Sequence, residues 1–219
     1  MTAAAQELGF THVFEPGSSD WTLLLLHGTG GDEHDLVGLG RQLAPEAALL
    51  SPRGQVLEQG MPRFFRRLAV GQLDIPDLLA RTEQLAAFVA AAAKRYERDP
   101  DKVLAVGLSN GANIAASLLL SQTDPEHPTL RAAGLLRPML PYEPDRSPRL
   151  DGIDVLIEAG ERDPYSPAEQ VARLTELLRA GGATVTTTVA PGAGHGLTEG
   201  DLQRLAAWVA QLTAGERGT

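Results

Sequence analysis

The sequence predicts an α/β fold in which a mostly parallel central sheet is covered by helices on both faces. Two observations carry this expectation. Short apolar runs alternate along the chain with longer amphipathic ones, the pattern of strands buried between two helical layers. The 219 residues, 43% of them hydrophobic, suffice to bury roughly 70% of the unfolded surface around one core. Residues 1–219 are therefore read as a single domain.

In order, the candidate strands are THVFEP, WTLLLLH, AALLSP, KVLAVGL, RAAGLLR, DVLIEAG and TVTTTVA. Only Gly17, Ser18, Ser19 and Asp20 part the first two. That is too short for a crossover, so they are expected to pair antiparallel at one end of the sheet. Leu78, Thr82, Leu85, Val89, Ala92 and Tyr96 recur at spacings of three and four and predict a helix from Asp77 to Arg98, stopped by Asp99 and Pro100. The segment RPMLPYEPDRSPRL, with Pro138, Pro141, Pro144 and Pro148, is expected to be an irregular loop over one sheet edge.

Composition narrows the function. A formal net charge of −9 and a pI near 5.0 would repel nucleic acid and anionic membranes, so neither is expected as a partner. The absence of cysteine excludes disulfides, thiolate metal sites and cysteine nucleophiles. MTAAAQELGF has no basic residue followed by an apolar run, and no segment approaches the roughly 18 apolar residues of a membrane helix. A cytoplasmic protein without an integral membrane segment is the expectation.

Chemistry first shows in VLAVGLSNGANIAASLLL, where Gly107, Ser109 and Gly111 stand G-x-S-x-G at the point where a strand becomes a helix. A serine there sits on a very tight turn, and the flanking glycines remove side chains that would strike the neighbouring strand and helix. The hydroxyl then projects above the sheet at a helix N-terminus, which favours developing negative charge.

A serine hydroxyl is a poor nucleophile unless a histidine takes its proton and a carboxylate orients the histidine. The loop after DVLIEAG supplies Asp163 and the loop after TVTTTVA supplies His195, in the chain order Ser, Asp, His. All three lie beyond the carboxyl ends of strands, where sites in parallel sheets form. Glu158 and Glu161 are weaker rivals for the acid; strand alternation aims Glu158 away from the loop. The glycine-rich loop LLLLHGTGGDEHDL and the residue after the nucleophile offer two oxyanion donors, the backbone N–H groups of Thr29 and Asn110. No dinucleotide or phosphate-loop spacing is present. His27, Asp32, His34 and Asp35 lie on a turn rather than one helix face, so no metal site is assigned. In GMPRFFRRL, Phe64 and Phe65 either close the core or wall an acyl pocket, while Arg63, Arg66 and Arg67 are read as a solvated face.

LHGTGGDEHDL, SPRG, GLSNGAN, GERDP and GAGHG, in this order over nearly the whole chain, resemble the phospholipase/carboxylesterase family of serine hydrolases, which also contains the acyl-protein thioesterases. The resemblance implies an α/β-hydrolase fold without a large cap domain, a triad of Ser109, Asp163 and His195, no cofactor, a small-molecule ester as substrate, and frequently a homodimer. It also favours Phe64 and Phe65 as substrate-binding residues. One departure concerns acyl length: the thioesterase relatives usually carry glutamine where this chain has Asn110, which keeps the backbone N–H but not that side chain. The expected activity is that of a carboxylesterase working through an acyl-enzyme. A thioesterase or lysophospholipase is the rival within enzymes, and a non-catalytic binding protein the rival outside them.

Overall fold

Residues 8–214 are described by a computed structural model; most of the N-terminal stretch read for a leader segment lies outside them. Each apolar run becomes a strand because alternate residues have somewhere dry to go on both sides. In β2 (Thr22–Leu26), Leu24 and Leu26 face one core cluster while Leu23 and Leu25 face the other. β8 (Val103–Leu108) repeats the pattern, with Ala105 on the first side and Leu104 and Val106 on the second. The remaining strands of the central sheet are β1 (His12–Glu15), β3 (Ala48–Pro52), β9 (Ala132–Leu136), β10 (Asp154–Gly160) and β11 (Thr184–Ala190). Their order across the seven-stranded sheet is β1-β3-β2-β8-β9-β10-β11.

Every pairing in that sheet is parallel except that of β1 with β3. β1 is thus the antiparallel edge strand, as expected, but its partner is β3 rather than β2. The connection does not form a hairpin because it passes over the start of β3. Ser19 donates its N–H to the carbonyl of Glu46 at 2.8 Å, and a Cβ on Gly17 would fall 2.2 Å from the Ala48 nitrogen. Six residues easily span the two inter-strand steps, about 10 Å in all.

Helices α2 (Ile75–Arg95), α3 (Asn110–Leu120) and α4 (Ala168–Ala180) cover one face of the sheet; α1 (Val37–Leu43) and α5 (Glu199–Ala214) cover the other. α2 begins two residues earlier than its periodicity suggests, because Asp74 caps it by accepting the N–H of Asp77 at 3.2 Å and Pro76 suits its first turn. It stops short of Arg98 because Glu97 turns to a φ of 53°. The proline-dense segment is irregular, as expected, but it lies across the helical layer rather than over a sheet edge. It follows β9, an interior strand, and Tyr142 donates to the carbonyl of Ser117 in α3 at 3.4 Å while Glu143 pairs with Arg173 of α4.

Between β3 and α2 the chain inserts two small hairpins, β4 (Val56–Glu58) with β5 (Met61–Arg63) and β6 (Arg67–Ala69) with β7 (Gln72–Leu73). They stand beside the carboxyl ends of the parallel strands, where the loops after β2, β8, β10 and β11 also converge. Among the described residues no helix is long and apolar enough to cross a membrane.

Candidate active site

Ser109 occupies the single step between β8 and α3 with φ 52° and ψ −108°, a backbone conformation that L side chains rarely adopt. The two glycines make the turn possible. A Cβ on Gly107 would lie 2.5 Å from the Gly111 carbonyl oxygen, and one on Gly111 would lie 2.0 Å from the Leu26 carbonyl oxygen. The Ser109 side chain makes no cap bond to its helix. Its hydroxyl instead meets His195 Nε2 at 2.8 Å, and His195 Nδ1 meets Asp163 Oδ2, also at 2.8 Å. An ionised carboxylate only accepts, so Nδ1 carries the proton and Nε2 accepts from the serine hydroxyl. Asp163 is held by its second oxygen, which accepts the N–H of Tyr165 at 2.9 Å. Tyr165 sets its ring edge-on to the imidazole at 5.1 Å.

The loops carrying the acid and the histidine are laced together. Arg162 N–H bonds the carbonyl of Ala193 at 2.8 Å, Glu161 Oε2 accepts from Gly192 N–H at 2.7 Å, and a Cβ on Gly160 would strike the Gly194 carbonyl at 2.3 Å. Glu161 thus serves loop structure. Glu158 is fully buried against Arg204 on the far side of its strand, with Arg204 Nη2 at 2.7 Å from its Oε2. Burial raises its carboxyl above the ordinary range, against the pull of Arg204.

Among the described residues, neither the N–H of Thr29 nor that of Asn110 finds a protein acceptor, and both residues line the cavity that opens over Ser109. The loop bearing Thr29 is anchored on three sides. Gly30 N–H bonds the Pro62 carbonyl at 2.9 Å, and Arg63 Nη1 donates to the Thr29 hydroxyl at 2.6 Å. The third anchor is His27, whose Nδ1–H donates to the Gly28 carbonyl at 2.7 Å while Nε2 accepts Gly54 N–H at 2.9 Å. Burial lowers the His27 pKa and keeps the ring neutral. With both nitrogens occupied by backbone, His27 cannot ligate a metal, and among the described residues no group of three or more ligating side chains is placed to hold one. Further out, Arg53 clamps Glu33, donating from Nη2 to Oε1 at 2.7 Å and from Nε to Oε2. Burial pushes the Glu33 carboxyl up, but Arg53 outweighs it and holds the group below its usual value.

The cavity has a volume of about 420 Å³, within the range of small-ligand sites. Its apolar wall is Val70, Leu73, Leu108, Met139 and Leu197. Phe64 and Phe65 are not part of it. They are 2% and 0% exposed, within the core, and Phe64 packs against the His27 ring at 4.7 Å. The expectation of a pocket role for them is corrected: two large apolar rings in a polar segment are turned inward because the adjoining hairpins leave them nowhere drier. Arg63 is likewise not solvated. It is 4% exposed, lies 3.3 Å from Glu58 and lines the cavity with Arg67, which pairs with the same carboxylate at 2.9 Å. Burial and the neighbouring Arg67 charge hold the Arg63 guanidinium below its ordinary value. Arg66 is exposed as expected.

The comparisons with known proteins agree with this architecture. The family model of the dienelactone hydrolases matches residues 66–211, about two thirds of the chain. The chain belongs to this family of α/β hydrolases. It is 46% identical over 197 residues, 90% of this chain and 96% of the other, to MhqD of Bacillus subtilis (strain 168), a protein named provisionally as a hydrolase. Among solved structures, a Bacillus cereus carboxylesterase superposes with a TM-score of 0.89 at 42% identity, covering 94% of this chain and 96% of that one. A Mesorhizobium loti carboxylesterase does so with a TM-score of 0.78 at 36% identity, covering 89% and 90%. The family resemblance read from the motifs thus holds at the level of carboxylesterase-like α/β hydrolases.

Proposed function

We propose that this family member is a serine carboxylesterase. The observation that carries the reading is the imidazole of His195, bonded at 2.8 Å to the Ser109 hydroxyl on one side and to Asp163 on the other. Ser109 Oγ attacks the ester carbonyl as His195 Nε2 takes its proton, and Asp163 holds the ring in the tautomer that can accept it. Charge then develops on the former carbonyl oxygen, where the free N–H groups of Thr29 and Asn110 would receive it. The tetrahedral species collapses with proton return from His195 to the alcohol, leaving an acyl-serine. Water attacks next, again deprotonated by His195, and the acid leaves as Ser109 regains its proton. Every bond made and broken is accounted for by these side chains, the ester and water. The likeness to carboxylesterases supports the choice of a carboxylic ester as substrate.

The test is labelling by an alkyl fluorophosphonate, mapped by peptide mass, followed by turnover on matched acyl esters and thioesters. Label at Ser109, lost in Ser109→Ala together with about four to six powers of ten in turnover, is the expected result. Near-normal turnover by folded Ser109→Ala would remove the nucleophile assignment, and faster turnover of thioesters would move the activity to the rival class.

A further inference from the structure

In the sequence, Arg137 ends the candidate strand RAAGLLR and opens the proline-dense loop. In the structure it is among the largest fully buried side chains, 1% exposed, with a φ of 55°. A non-glycine residue in the left-handed region persists only where its surroundings over-determine it. Here the side chain does so. Nε donates to the Gly194 carbonyl at 3.1 Å, Nη2 to the Gly196 carbonyl at 2.9 Å and Nη1 to the Glu158 carbonyl at 3.0 Å. Nη2 also pairs with the fully buried Asp201, which in turn accepts the N–H of Thr198 at 2.7 Å. The guanidinium therefore grips the backbone on both sides of His195 and the start of the helix that follows.

The residue before it completes the link. The Leu136 carbonyl accepts the N–H of Ser109 at 2.8 Å, and Arg137 N–H bonds the Glu158 carbonyl at 2.8 Å. Leu136, the last residue of β9, and Arg137 just after it thus hold the backbone of Ser109 and that of the glycines flanking His195. We propose that Arg137 is a positioning residue that fixes the His195 imidazole against the Ser109 hydroxyl. This rests on the esterase reading above. Only a planar fork with several fixed N–H directions can serve three carbonyls and a carboxylate together; an ammonium cannot. The charges around it balance: Arg137 and Arg204 face Asp201 and Glu158, with Arg204 at 2.8 Å from Asp201 and 2.7 Å from Glu158.

Three variants test the proposal through the second-order rate of inactivation by the fluorophosphonate, which needs no knowledge of the natural ester. Arg137→Lys keeps the charge but not the fork. Arg137→Met combined with Asp201→Asn removes one cation and one anion together, so it keeps the buried charges balanced and serves as the test if the lysine variant fails to fold. Arg204→Gln perturbs the same buried network without touching the His195 loop. Both Arg137 variants should lose about 100-fold in inactivation rate, and in kcat on p-nitrophenyl butyrate with KM nearly unmoved, as expected for a misplaced reacting group. Arg204→Gln should lower the Tm while its rate stays within about threefold. Unchanged rates in a folded Arg137 variant would overturn the positioning role, as would an equal loss in Arg204→Gln. Failure of the unaltered protein to label at all would instead bring down the esterase reading, and this inference with it.

Discussion

The side-chain carbonyl of Asn110 accepts the backbone N–H of Phe64 at 2.7 Å, which ties the residue after Ser109 directly to the buried aromatic pair. Phe64 and Phe65 support the site from below. Truncating either to alanine should cost roughly 3 to 5 kcal/mol of stability without changing the order of preferred acyl lengths. Leu73→Ala or Met139→Ala, in the cavity wall, should shift that order about tenfold or more between neighbouring substrates. Thermal melts beside kcat/KM for acetyl, butyryl and octanoyl esters separate the two effects. A changed order in the phenylalanine variants alone would reverse the assignment.

Asp163→Asn should lower turnover by about four powers of ten, because an amide in its place stabilises the wrong imidazole tautomer. Glu158→Gln should stay within about tenfold of the unaltered protein, since its partner Arg204 is 39% exposed and can turn to water. Steady-state kinetics on both variants checks the choice of acid. An exchange of the two outcomes would transfer the role to Glu158.

Gly111→Ala should be severe. The added methyl would lie 2.0 Å from the Leu26 carbonyl oxygen, and its nearest atoms all belong to the backbone of Leu26 and His27, with no flexible neighbour to give way. Denaturant titration should show a loss of at least about 3 kcal/mol, and any folded fraction should label slowly because the turn has been displaced. Full stability in this variant would contradict the packing of the elbow against β2.

Acid should weaken the clamp between Arg53 and Glu33. The Glu33 carboxyl has a folded pKa below its unfolded value of 4.5, so its contribution is present in full above that value. It is lost as the pH falls through the lower folded value. Glu33→Gln should therefore be less stable than the unaltered protein at pH 7, and the two should converge as the pH falls below 4.5 and through the lower folded value. Denaturation curves at stepped pH measure the gap. A gap that widens on acidification would give the shift the opposite sign.

How much of this was legible in the sequence follows from what each signal depends on. Strands such as WTLLLLH and KVLAVGL announce themselves because burial on both faces demands unbroken apolar runs. Ser109, Asp163 and His195 could be placed because strand ends in a parallel sheet share one edge. The neighbour of β1 could not, since the short link, four residues by the apolar pattern and six between the observed strands, is as compatible with skipping a strand as with turning back. Nor could the cavity wall: whether Phe64 or Leu73 faces the void is decided by how two short hairpins pack, and their residue types alone do not say. Arg137 left one trace, a charged residue directly after the fully apolar AAGLL and directly before Pro138. A cation at the end of a buried strand gives up most of its contact with solvent and must be met by acceptors.

None of the four strands in the insert between β3 and α2 shares a ladder with the central sheet. Its rim carries Leu57, Leu68 and Val70, each about two-thirds exposed, while Phe64 and Phe65 root it in the core. Heritable change along that rim can reshape what enters the cavity without disturbing a single pairing in the seven-stranded frame. Substrate range and the proposed chemistry are thereby free to evolve at different speeds, and a laboratory library confined to Leu57, Leu68 and Val70 would explore the first while leaving Glu58, Arg67 and the Arg63 anchor of the Thr29 loop untouched.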